Sequence, residues 1–170
     1  DLENIGIFGH SGGGFMSTAA LLTYPDFYDV ACSSAGNQDN NIYNKWWSET
    51  HNGVEAVYKK KKDDDGNETE ELTWNAKIKT NQSLAENMKG HLLLTHGNID
   101  NNVHPTNSLR LADELIKAGK RFDMMIFPGK RHGYGSFRGY YEKMMWYYFA
   151  EHLLGDYRDN VDIALPDSSN

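Results

Sequence analysis

One pentapeptide constrains this chain more than any other stretch: Gly9-His10-Ser11-Gly12-Gly13, set between a short apolar run and a helix-forming segment. Ile5 to Phe8 reads as a buried strand. Residues 13–23 (GGFMSTAALLT) read as a helix whose packed face carries Phe15, Met16, Ala19, Ala20 and Leu22. A G-x-S-x-G sequence at a strand-to-helix turn has the context of a nucleophile elbow, a reversal sharp enough to hold a serine hydroxyl clear of the sheet. So tight a turn leaves no room for a Cβ, and Gly9 and Gly13 are expected to be glycine for that reason. Ser11 is expected in a strained conformation. The N–H of Gly12 then opens the helix, where the dipole favours a developing negative charge. By itself the pentapeptide also fits an ordinary glycine-rich turn, so the rest of the chain must supply a base and an acid.

Bulk properties narrow the alternatives. The 170 residues suffice for one domain with a hydrophobic core. A mean hydropathy of -0.70 marks a polar chain. A net charge of -7 argues against nucleic acid or an anionic membrane surface as partner. Cys32 is the only cysteine, which excludes an intrachain disulfide. No apolar run of about 18 residues exists, so no membrane span is expected. No signal peptide is read either, and the chain is expected to begin mid-domain, as the C-terminal portion of a longer protein.

After the first helix, Tyr24-Pro25-Asp26 is a stop, and Val30 to Ser34 reads as a second strand. Residues 36–53 read as a polar, aromatic loop or irregular helix containing Tyr43, Trp46 and Trp47. Four lysines, Lys59 to Lys62, are followed by acids and by the turn sequence Asp65-Gly66-Asn67, which predicts a solvated hairpin or mobile excursion rather than a polyanion site. Residues 81–88 form a turn or short helix before a third strand, His91 to His96. Leu109 to Ala118 is an amphipathic helix ended by Gly119, and Arg121 to Phe127 is a fourth strand. The last helix, from about Ser136 to Leu154, carries Tyr141, Met144, Met145, Tyr148, Phe149 and His152 at core spacing. The polar tail from 156 to 170 is expected to be poorly ordered. Alternating strands and helices predict an α/β fold with a parallel sheet of about four strands and flanking helices.

In open parallel sheets, chemistry gathers at the carboxyl ends of the strands. The first strand is followed by Ser11, the third by the loop 96–104 (HGNIDNNVH) and the fourth by Pro128-Gly129-Lys130-Arg131-His132-Gly133. A serine, an acid (Asp100) and a histidine (His132) thus follow the first, third and fourth strands, in the chain order of α/β-hydrolases. His132 would take the proton of Ser11 during attack and return it to the leaving group, while Asp100 holds the other ring nitrogen. His91, His96 and His104 lack compact ligand spacing, so no metal is assigned, and no cofactor either.

Together, Gly9-His10-Ser11-Gly12-Gly13-Gly14, the 96–104 run and His132-Gly133 resemble the catalytic C-terminal half of the prolyl oligopeptidase family, nearest to its dipeptidyl peptidase IV branch. The resemblance covers about residues 3 to 155. It implies the C-terminal half of an α/β-hydrolase domain (1–155), a charged insertion at 54–75, a peptide substrate, an upstream β-propeller, and a periplasmic or secreted location. It also implies that Asn102 binds substrate backbone, that Val103 lines the pocket for the penultimate residue, and that Tyr43 belongs to a proline-accepting pocket, although loop packing explains Tyr43 equally well. Asp39 stands where that branch has a second pocket tyrosine, which weakens proline specificity. The family's second oxyanion donor, an upstream tyrosine, is missing, so the 170-residue chain alone is expected to be nearly inactive. Its nucleophile strand is expected to form an unpaired edge that self-associates. An esterase or lipase on the same fold and a non-catalytic binding domain are the competing readings.

Overall fold

The structure, a computed structural model, describes residues 2–64, 66–75, 78–157 and 162–163. The chain divides into two compact units, Asp1–Gln38 with Asn81–Asn170, and Asp39–Thr80. Most of the 156–170 tail, and the expectation attached to it, falls outside the described residues.

The first unit is built on a four-stranded parallel sheet. Its strands are β1 (Gly6–His10), β2 (Val30–Ser34), β5 (His91–Gly97) and β6 (Asp123–Phe127), adjacent in that order. The helices are α1 (Gly12–Thr23), α3 (Thr106–Lys117) and α4 (Arg138–Leu154). Strands laid down in sequence order with right-handed crossovers put the crossover helices on one face. Accordingly Ala31, Leu92 and Leu94 pack with Leu21, Leu22, Leu111 and Leu115 of α1 and α3. Val30, Cys32 and Leu93 pack with Met145 and Tyr148 of α4 on the other. Burial on both faces explains why β2 is buried throughout and why β5 is buried from Leu92 to its end. The core stripe read on the last helix is the one that packs. β1 and β6 are the two ends of this sheet, and Phe8 of β1 is 62% exposed.

Two helices differ from the sequence reading. The buried residues of α1 are Gly14, Ser17, Thr18, Leu21 and Leu22, whereas Met16 is exposed. The helix seats its smallest residue on β2: a Cβ at Gly14 would lie 2.6 Å from the Ser34 carbonyl. The hydroxyls of Ser17 and Thr18 donate to the carbonyls of Gly13 and Gly14, so these polar residues can face inward. α3 begins at Thr106 rather than Leu109, because its first turn is buried through polar residues, Asn107 and Ser108, which apolar periodicity does not detect.

The second unit contains α2 (Lys45–Asn52), whose first turn Asn44 caps by accepting from the Trp47 N–H, and an antiparallel hairpin of β3 (Glu55–Lys62) and β4 (Glu68–Asn75). The charged stretch is thus a hairpin. Lys62 faces Glu68 and Lys60 faces Glu70 across the ladder, and Lys60 and Lys61 pair at the surface with Glu68 and Glu71. Such exposed pairs contribute little stability.

Cys32 lies fully buried on the central strand β2, and burial pushes its thiol up to about 12. A thiol so placed is a poor nucleophile until the chain opens. We expect no reaction with an aromatic disulfide reagent at pH 8 in the native chain and one thiol titrated after denaturation. Rapid labelling of the native chain would contradict this packing.

Candidate active site

The site is built at the carboxyl ends of β1, β5 and β6. β1 ends at His10, α1 starts at Gly12, and Ser11 makes the whole reversal alone, at φ 59° and ψ -121°. A non-glycine residue held there costs about 1–3 kcal/mol and persists only where its surroundings over-determine it. Here the Ser11 N–H donates to the Ser34 carbonyl at 2.8 Å, and its own carbonyl accepts from Phe15 N–H at 3.0 Å. Gly12, as the first helical residue, has an N–H without an intrahelical acceptor.

The glycine requirement is only partly as the sequence suggested. A Cβ on Gly9 would lie 2.3 Å from the Gly13 carbonyl oxygen, but a Cβ on Gly13 would meet nothing within 4 Å. The backbone of Gly13 is what Gly9 must avoid, so only the first glycine carries the steric burden. The Cβ position of Gly13 points into open space. Gly14, seated on β2, is the second glycine that geometry demands.

The loops after β5 and β6 are stitched to one another. Asn98 N–H donates to the Phe127 carbonyl, Ile99 N–H to the Lys130 carbonyl, and Gly129 N–H to Asn98 Oδ1 at 2.7 Å. Gly97 permits this approach, because a Cβ there would stand 2.3 Å from the Lys130 oxygen. Within this arrangement His132 Nδ1 lies 2.7 Å from Asp100 Oδ2. The other carboxylate oxygen accepts from the N–H groups of Asn102 (2.9 Å) and Val103 (3.1 Å). A carboxylate accepts the Nδ1 proton, which leaves the Nε2 lone pair of His132 available. The Asp100 side chain is fully buried and that of His132 is 21% exposed, so the imidazole is reached from one side. The ring of His10, the residue before Ser11, lies 4.6 Å from the ring of His132. The turn at Ser11 and the loop of His132 therefore meet.

A second imidazole stands behind the acid. His96, fully buried, has Nε2 2.8 Å from the Val103 carbonyl and 3.3 Å from Asp100 Oδ2, and Nδ1 2.8 Å from Ser108 Oγ. The carbonyl can only accept, so Nε2 carries the proton. Burial lowers the pKa of His96, opposed by its hydrogen bond to Val103 and by Asp100.

A profile of the family described as Prolyl oligopeptidase family matches residues 1–156. The chain belongs to the prolyl oligopeptidase family. Among curated relatives it is 30% identical over 155 residues to dipeptidyl peptidase 8 of Mus musculus and of Homo sapiens, which covers 90% of this chain and 16% of the relative. It is also 27% identical over 132 residues to the inactive dipeptidyl peptidase 10 of Mus musculus, covering 75% of this chain and 14% of that protein. Among solved structures, a putative dipeptidyl aminopeptidase IV from Bacteroides ovatus superposes with a TM-score of 0.71 at 26% identity, over 90% of this chain and 20% of that one. The chain thus spans about a sixth of the length of these curated relatives. Its α/β-hydrolase fold, like its family, agrees with the sequence reading.

The residues that the resemblance assigned to substrate belong to both units. Val103 is wholly buried, with its backbone turned to Asp100 and His96, and Asn102 is exposed on the same loop. Tyr43 belongs to the second unit, where its ring meets Trp47 at 5.5 Å. Asp39 accepts from both the backbone N–H and the side-chain amide of Asn41, an Asx-type turn. Among the described residues, no group of three or more His, Cys, Asp or Glu is placed to hold a metal. Of the histidines weighed for that role, His91 stacks on His152 and His104 sits exposed before α3. The sequence reading quoted His10 only as part of the pentapeptide and weighed His96 only as a metal ligand, and it gave neither a place beside Asp100 and His132. The available signal was an imidazole at the end of an otherwise apolar strand and another inside the pentapeptide.

The glycine geometry gives a paired test. Gly9→Ala is expected to destabilise the chain by about 1–3 kcal/mol in denaturant unfolding, as overpacking does. Gly13→Ala, in a helix with free space, is expected to be neutral or to stabilise by up to about 1 kcal/mol. The reverse order would refute this account of the turn.

Proposed function

We propose that this chain is the C-terminal catalytic portion of a longer serine peptidase, one that releases short peptides from N-termini in the manner of dipeptidyl peptidases. The observation that carries the reading is the 2.7 Å contact between His132 Nδ1 and Asp100 Oδ2, on loops that meet the strained Ser11 turn. In the proposed reaction His132 Nε2 takes the Ser11 hydroxyl proton as Oγ attacks the scissile carbonyl. The oxyanion that forms is met by the Gly12 N–H at the helix start. The proton passes from His132 to the departing amine, and an acyl-enzyme remains. Water then repeats the cycle: it gives a proton to His132, attacks the acyl carbon, and Ser11 leaves with that proton restored. Asp100 keeps the ring oriented and stabilises its protonated form in both halves.

From the resemblance, Asn102 is proposed to bind substrate backbone, Tyr43 to belong to a proline-accepting pocket and Val103, from its buried position, to line the pocket for the penultimate residue, with an upstream β-propeller in the longer protein and residues 54–75 as an insertion. The outer edge of β1, with Phe8 exposed, is proposed to pair with a second copy of the isolated chain. Light scattering is expected to show mass above that of a monomer at high concentration. A monomer throughout would sink the pairing.

A fluorophosphonate probe, which reacts only with an activated serine, tests the central reading. Labelling is expected at Ser11 and is expected to vanish in Ser11→Ala and His132→Ala. The 170-residue chain is expected to react some ~100- to 1,000-fold more slowly than a longer form that supplies a second oxyanion donor. Gly-Pro and Ala-Ala anilides set against a short acyl ester then separate peptidase from esterase, and the first comparison reads the effect of Asp39. No labelling of Ser11 in either form would refute the reading.

A further inference from the structure

Two residues beyond His132 the backbone does something costly. Tyr134 sits at φ 62°, ψ -8°, a left-handed conformation that disfavours an aromatic residue, yet its side chain is almost wholly buried. Its hydroxyl lies 2.7 Å from Ser34 Oγ and 2.9 Å from Thr95 Oγ1, and both partners are fully buried on the central strands. Its ring packs on Phe127 at 4.6 Å and on Tyr141 at 5.4 Å, and meets His10 edge-on at 5.9 Å. Hydroxyls so deeply placed are costly to leave unpaired, which gives this arrangement its direction.

Ser34 is the hub. Its carbonyl holds the Ser11 N–H, and its Oγ bonds Tyr134 and, at 2.8 Å, His10 Nδ1. Its one hydroxyl proton goes to Tyr134, so towards His10 it can only accept. The proton must then sit on His10 Nδ1. The nucleophile turn and the base loop are consequently both referred to one residue of β2, and the His10 ring backs that of His132 at 4.6 Å, tilted by 55°. The mechanism proposed above uses none of His10, Ser34 or Tyr134.

We propose that His10, Ser34 and Tyr134 form a hydrogen-bonded clamp that positions His132 against the turn at Ser11, with a proton of His10 held on Nδ1 towards Ser34. They are positioning residues, since none is assigned a contact with the reacting atoms. The kinetic consequence rests on the hydrolase reading, whereas the tautomer and the clamp do not. His10 is exposed at the end of β1, yet partial burial of its ring and the neighbouring His132 push it down to about 4, with Arg138 and His96 acting in the same sense and Asp100 opposing them. Protonation of His10 is therefore expected only well below neutrality.

Two measurements on this chain test the clamp. Long-range 1H–15N spectra of the histidine rings are expected to show His10 with its proton on Nδ1, unchanged between pH 8 and pH 6. Tyr134→Phe, which removes only the bridging hydroxyl, is expected to shift the His132 ring signals and to mix the His10 tautomers. The second measurement is the rate of fluorophosphonate labelling at Ser11. Tyr134→Phe and His10→Leu are expected to slow it by ~10- to 100-fold, the scale of an ångström-level misplacement. His10→Asn keeps an N–H donor towards Ser34 and is expected to recover most of that loss, which a loss of general stability would not produce. Labelling of Tyr134→Phe at the unsubstituted rate, His10→Asn no better than His10→Leu, or a His10 that carries its proton on Nε2 would each overturn the clamp. Absence of labelling in the unsubstituted chain and its longer form would defeat the hydrolase reading. The ring spectra would then still decide the clamp by themselves.

Discussion

The close approach of Gly9 to Gly13 is the constraint on which this architecture turns. A strand that must become a helix within one residue brings the backbone of residue 9 against that of residue 13, with no space for even a methyl group on the former. Ser11 is left in a conformation that its own sterics oppose. The opposing forces are local and countable: a bond from its N–H to β2, a bond from Phe15 to its carbonyl, and the seating of Gly14 under the Ser34 carbonyl. β2 is thus more than a central strand. It is the surface against which the turn is pressed.

The same device recurs on the next pair of loops. Gly97 lets the backbone of Lys130 pass over the end of β5, and three hydrogen bonds from 98, 99 and 129 fasten the crossing. With the loops fixed at that spacing, the Asp100–His132 bond follows from the fold and does not have to hold the loops together. Side chains on rigidly supported loops lose less freedom when they meet, which favours a short, well-directed bond over a fluctuating one.

Much of this was legible in the sequence because it is written in residue types with few alternatives. Strand-turn-helix around G-x-S-x-G, and Ser11, Asp100 and His132 each placed after a strand, needed only order and periodicity. What remained illegible is tertiary in origin. Gly9 and Gly13 look equivalent in the pentapeptide, and only the direction of the chain distinguishes the one that meets backbone from the one that faces open space. Ser17, Thr18, Asn107 and Ser108 are polar residues on buried helix faces, invisible to an apolar count because their hydrogen-bonding groups find partners within the fold. The charged stretch was decipherable as a solvated protrusion from its composition, but the lysine-against-glutamate register required the ladder.

The histidine that sequence order did not single out says most about the acid. Asp100 is fully buried and both its oxygens are engaged: two backbone N–H groups on one, His132 on the other, with the Nε2–H of His96 only 3.3 Å from that second oxygen. A buried carboxylate gains from each donor that replaces water. His96 could have competed with His132 for this carboxylate. Burial lowers its pKa, the Val103 carbonyl claims its Nε2 proton and Ser108 occupies its Nδ1, so it stands as a neutral donor instead. With His96 spoken for on both nitrogens, Asp100 has one imidazole left to orient, and that one packs beside His10, the residue before Ser11. The asymmetry between two histidines on one carboxylate is thus a matter of which has a carbonyl behind it and which has an exposed edge.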